Sequence, residues 1–114
     1  MSEARLKSRL RVQALIRQSE ANDVPAMVVR RGDADAGAIL VKVNAFAAGC
    51  VVLAQVTDGQ GRARWMRGTG PNPVDDATAE AYIARQAKYD EDLWVVELES
   101  RDGWHPFTDE MLAE

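Results

Sequence analysis

A chain of 114 residues that is 46% hydrophobic and 28% charged has the size and balance of one globular core, and argues against a disordered, collagen-like or membrane-spanning chain. Its net charge of −4 argues against a general affinity for nucleic acid, and its single cysteine excludes an intrachain disulfide. The opening residues lack the apolar stretch of a secretory signal, so the expectation is one cytoplasmic domain over residues 1–114.

Residues 4–21 contain neither Gly nor Pro and are rich in Leu, Arg, Gln and Ala, which predicts a first helix with a broad apolar face formed by Leu6, Leu10, Val12, Leu15 and Ile16. Asn22 is suited to the left-handed end of that helix, and Pro25 stops it from resuming. Basic residues gather early: Arg5, Lys7, Arg9, Arg11, Arg17, Arg30 and Arg31 stand against Glu3, Glu20 and Asp23 in the first 31 positions. Such an asymmetry steers an anionic partner or, more commonly, forms a solvated face.

Three strand-like runs follow at 26–31, 38–46 and 50–57, each dense in Val, Ile or Leu, with a fourth at 62–67. The separators are Gly-bounded turns, and their shortness implies antiparallel neighbours. In the second run Ile39, Val41, Val43 and Ala45 oppose Leu40, Lys42, Asn44 and Phe46, a pattern that predicts one covered face and one mixed face.

Residues 68–73 hold two glycines and two prolines and end the meander. Asp75 is the predicted N-cap of a second helix that reaches Tyr89, with Ala79, Tyr82, Ile83 and Gln86 on one face. A last strand spans 93–99, and the tail at 104–114 ends in a short helix capped by Thr108. The expected fold is α+β: a mostly antiparallel sheet of four to five strands with the two main helices on one face.

No catalytic set stands out. His105 and Cys50 are the lone imidazole and the lone thiol, and nothing in the sequence brings them together. Asp33 and Asp35 in a Gly-bounded turn, with Lys42 on the next strand, form the minimum set for metal-assisted phosphoryl or phosphodiester hydrolysis. Restriction-type nucleases, however, place an acid two positions before the lysine, where Leu40 stands. Gly68-Thr69-Gly70 resembles a phosphate loop but is followed by Pro71, Pro73, Asp75 and Asp76, which remove amide donors and add negative charge. Arg62, Arg64 and Arg67 beside Trp65 suit the gripping of a protein partner or an anion.

The leading expectation is a small interaction or ligand-binding domain without catalysis, needing no cofactor or metal, whose partner is another protein or a second copy of the chain. The alternatives are the metal-assisted hydrolase and nucleic-acid binding by the basic first helix through Arg5, Arg9 and Arg11.

Four segments carry a resemblance. They are residues 30–44 with Arg31-Gly32-Asp33-Ala34-Asp35-Ala36-Gly37 at their heart, Trp65-Met66-Arg67-Gly68-Thr69-Gly70-Pro71, Tyr82-Ile83-Ala84-Arg85-Gln86, and Asp92-Leu93-Trp94-Val95-Val96-Glu97. Together they make the chain resemble, over nearly its full length, domain of unknown function family 1491, small uncharacterised proteins of alphaproteobacteria. The resemblance implies a bacterial setting and assigns no activity, cofactor or site residue.

Overall fold

The computed structural model describes residues 6–112; Ala4 and Arg5, where the first helix and its basic run were expected to begin, lie outside them. Helix α1 spans Ser8–Ala21. It ends at Ala21, as the sequence suggests, but the left-handed turn comes one residue later than expected. Asn22 keeps a negative φ of −104°, and Asp23 takes the left-handed turn at φ 61°. Asp23 N then donates to Glu20 O and Val24 N to Ser19 O, the paired closure that satisfies two orphan carbonyls.

The strands are β1 (Ala26–Arg30), β2 (Ile39–Asn44), β3 (Cys50–Thr57), β4 (Ala63–Arg67) and β5 (Trp94–Glu99), with helix α2 (Asp76–Tyr89) between the last two. Single 3₁₀ turns occupy Phe46–Ala48 and Thr108–Glu110. The second of these has no side-chain cap, and Thr108 lies inside it, not before it as the sequence suggests. Asp75 does cap α2, its carboxylate accepting from Thr78 N at 2.8 Å.

The five strands form one sheet in the order β1-β5-β2-β3-β4. Consecutive β2, β3 and β4 are antiparallel neighbours, as short turns dictate. β1 and β2 are not neighbours, contrary to the inference from their connection. β5 inserts between them, antiparallel to β1 and parallel to β2. The reason is burial: Trp94, Val95, Val96 and Leu98 are all buried, so β5 is apolar on both faces and gains most from a central position.

The α+β class and mostly antiparallel sheet stand, but the two helices cover opposite faces. Val12 and Leu15 of α1 pack with Val41, Val43, Leu53, Trp65, Val96 and Leu98 on one side. Ala79, Tyr82 and Ile83 of α2 pack with Leu40, Val52, Leu93 and Val95 on the other. The mixed face expected for β2 is therefore a second covered face. With Leu40 on one side and Ile39, Val41 and Val43 on the other, both sides need burial, each such side chain contributing about 1.5–3 kcal/mol.

Local chemistry fixes the connections. A Cβ at Gly32 or Gly37 would lie 2.2 or 2.3 Å from Asp92 O, so only glycine lets this loop lie against the start of β5. The outer edge of β4 is covered by the tail, where Leu112 N donates to Trp65 O at 2.7 Å. β1 is the other edge strand, and a bulge between Val28 and Arg30 interrupts its ladder with β5. No helix among the described residues is long and apolar enough to cross a membrane.

Candidate functional site

β2 is apolar except for Lys42 and the terminal Asn44, and Lys42 is almost fully buried. Its Nζ reaches Asp76 Oδ1 at 2.5 Å and Glu80 Oε2 at 2.7 Å, one turn apart on α2, and Glu97 Oε1 at 3.6 Å on β5. Burial alone would lower the lysine pKa. The hydrogen bonds to Asp76 and Glu80 and the attraction of Glu97 and Glu80 outweigh it and hold the ammonium above its ordinary value. Three carboxylates converge on a point that Lys42 itself occupies, so the cluster is an internal clamp between α2 and the sheet. Among the described residues, no group of three or more His, Cys, Asp or Glu is arranged to hold a metal ion.

The expected hydrolase set is dispersed. Lys42 pairs with neither Asp33 nor Asp35. Asp33 Oδ2 accepts from Asp35 N and Ala36 N inside its own turn, and its carbonyl accepts from Trp94 Nε1 at 2.6 Å. Asp35 faces Lys7 at 3.5 Å. This loop also receives α1: Ser8 N and Arg9 N donate to the carbonyls of Asp35 and Ala34, two of the orphan amides at the helix start.

Cys50 is buried on the α2 face and its Sγ lies 3.7 Å from Asn44 Oδ1. Burial raises the thiol pKa, opposed by Lys42 and reinforced by Asp76, Glu97 and Glu80, so the protonated, non-nucleophilic form holds at neutral pH. His105 lies on the other side of the sheet. Thr69 Oγ1 accepts from Val52 N, and a Cβ on Gly68 would fall 2.2 Å from the Tyr82 hydroxyl, which ties the Gly68-Thr69-Gly70 loop to the packing of α2.

The strand arginines separate. Arg62 and Arg64 both face Asp58, at 3.5 and 3.3 Å, in the β3–β4 turn. Trp65 is buried and stacked on Phe107 with ring centroids 4.1 Å apart, so it is a core residue and not an exposed platform. Arg67, on the Trp65 side of β4, lines a recess of about 260 Å³ at the sheet end.

The floor of that recess is Val43, Val51 and Leu53, and its walls include Arg67, Arg101, Asp102 and His105. The Arg101 guanidinium lies over the Phe46 ring, 4.8 Å from its centroid. Phe46 itself is exposed and held at φ 56°, a left-handed conformation rare for an aromatic residue. Asn44 Oδ1 accepts from Phe46 N, and Gly49 N donates to Phe46 O, which together fix that turn. Burial, then the charge of Arg67, lowers the His105 pKa below its ordinary value, so the imidazole is neutral at pH 7. Its Nδ1 accepts from Phe107 N at 3.2 Å, which leaves the proton on Nε2. A wider recess of about 520 Å³ lies across the same turn, bordered by Asn44, Phe46, Cys50 and Asp76.

Sequence reasoning passed over Asp76, Glu80 and Glu97 as partners of Lys42, and Arg101 as a wall of the recess. The first omission had a readable signal: Lys42 and Glu97 are opposite charges set inside two largely apolar strands. Arg101 had none, because it sits in an ordinary turn far along the chain from Arg67.

The family model described as "Protein of unknown function (DUF1491)" matches residues 6–108. The crystal structure of a DUF1491 family protein from Caulobacter crescentus CB15 is 38% identical with a TM-score of 0.83, over 96% of this chain and 100% of that one. An NMR structure of a DUF1491 family protein from the same organism gives 37% identity and 0.83, over 97% and 100%. The solution structure of protein Atu0922 from A. tumefaciens gives 28% and 0.73, over 85% of this chain and 87% of that one. No curated protein matches the chain.

Proposed function

Since the chain belongs to the DUF1491 family, whose description assigns no activity, we propose that it is a small binding domain without catalysis whose ligand site is the recess walled by Arg67, Arg101 and His105. The observation that carries this reading is the pairing of cationic side chains with an apolar floor in one concavity, the composition of a small-ligand site. Lys42 clamps α2, Asp33 holds its own loop, and Arg62 and Arg64 face Asp58. A buried lone cysteine suits a reducing compartment, and we place the protein in the cytoplasm; recovery in a periplasmic fraction of the native host would refute that placement.

The test is thermal unfolding of the purified protein against small organic and inorganic anions, divalent metals, nucleotides and short nucleic acids. A ligand at a hundred times its Kd adds about 2.7 kcal/mol, which for a chain of this size raises Tm on the order of 10 °C. Anions are expected to produce the shift. A shift confined to Mg²⁺ or Mn²⁺, accompanied by phosphodiester turnover, overturns the reading in favour of the hydrolase; one confined to nucleic acids favours the basic helix.

A further inference from the structure

The recess has enough chemical definition to name its ligand class. Its volume of about 260 Å³ lies just below the range of drug-sized sites, roughly 300–1,000 Å³, and so fits a small metabolite. Val43 and Leu53 are buried at its base and reject a fully hydrated ion, because an ion seated there would lose water without gaining partners on that side. The ligand therefore needs an apolar body.

The rim selects the head group. Arg101 offers a planar fork of donors already stacked on Phe46, and such a fork matches the two oxygens of a carboxylate. His105 adds a neutral Nε2–H donor, its Nδ1 being engaged by Phe107 N. Arg67, at the end of β4, adds positive potential. Asp102 limits the charge that the rim accepts. Its carboxylate also lines the recess, accepting from Trp104 N at 3.2 Å and Ser100 Oγ at 3.4 Å, and like-charge repulsion penalises a dianion more than a monoanion.

Resting on the binding reading above, we infer that the recess takes a small organic monocarboxylate, with the carboxylate at Arg101 and His105 and a short apolar body against Val43, Val51 and Leu53.

The test is an NMR titration of the full chain, isotopically labelled, with hexanoate and benzoate, their neutral amides hexanamide and benzamide, and inorganic phosphate. Both carboxylates are expected to move the amide signals of Val43, Val51, Leu53 and Gly103 in a saturable way, with each amide at least tenfold weaker. Arg101 is exposed, so Arg101→Gln is expected to keep the wild-type spectrum and to weaken the carboxylates about tenfold, the loss of one charge-assisted contact. Phosphate saturating the same signals as tightly as the carboxylates overturns the monocarboxylate class and leaves the recess as a binding site. Silence of these signals towards all five probes also overturns the class. If the wider anion panel leaves Tm unmoved as well, the binding reading falls with it.

Discussion

Lys42 and Glu97 are register partners on the parallel strands β2 and β5, their charged atoms 3.6 Å apart in an otherwise apolar sheet centre. Glu97 in turn receives Asn44 Nδ2 at 3.3 Å, and Asp76 and Glu80 reach Lys42 from α2 above. The pair thus links the parallel pairing of β2 with β5 to the helix that covers it.

Lys42→Met should destabilise the fold by about 3 kcal/mol, because removing one partner of a buried ion pair strands the other. Asp76→Asn or Glu80→Gln should each cost less than about 1 kcal/mol, since both carboxylates are largely exposed and turn to water. The raised Lys42 pKa sets the pH sign: its contribution is complete below the ordinary lysine value and is lost as pH rises beyond it. Urea unfolding of the three variants measures the ranking, and equal costs would show that Lys42 is not the centre of the cluster.

His105 gives stability a slope on the acid side of neutrality. Below about pH 6.5 the unfolded imidazole binds a proton that the folded one, held low by burial and Arg67, resists, so stability falls as pH drops through that value. Urea midpoints between about pH 7.5 and about pH 5.5 should decline in the wild type and flatten in His105→Gln. Parallel curves would remove the titration of His105 from the account.

Gly37→Ala should cost about 1–3 kcal/mol, because its Cβ meets the Asp92 carbonyl and the loop must move. Gly59 has open space and no left-handed φ, so Gly59→Ala should be neutral or stabilising by up to about 1 kcal/mol. Thermal unfolding of both variants checks the contrast; a neutral Gly37→Ala would mean that the loop does not depend on close approach to β5.

Asp33→Asn keeps a side-chain acceptor for Asp35 N and Ala36 N, whereas Asp33→Ala loses it, at about 1 kcal/mol. Denaturation curves should separate the two. Asparagine as damaging as alanine would show that the charge, and not the turn, is what the position requires.

What the sequence reveals here follows the range of the forces involved. The cap at Asp75 and the β2–β3–β4 meander depend on residues a few positions apart, and their pattern is local. The insertion of β5 between β1 and β2 is a long-range choice, visible only as an unusually continuous apolar run at 94–96. The opposite placement of the helices was foreshadowed by apolar residues of both parities in β2, but Lys42 made that second face look solvent-exposed. The recess is the least legible feature, since Val43, Arg67 and Arg101 meet only when the ends of three strands align.

The central claim is that the binding site is the Arg67–Arg101 recess and not the basic pair Arg62 and Arg64 at the start of β4. Calorimetric titration of the anion giving the largest thermal shift, into wild type, Arg67→Gln/Arg101→Gln and Arg62→Gln/Arg64→Gln, separates the two with the same change in net charge. The account predicts at least a tenfold loss of affinity in the first double variant and near wild-type affinity in the second. Equal losses in both, or a loss only in the second, would contradict it.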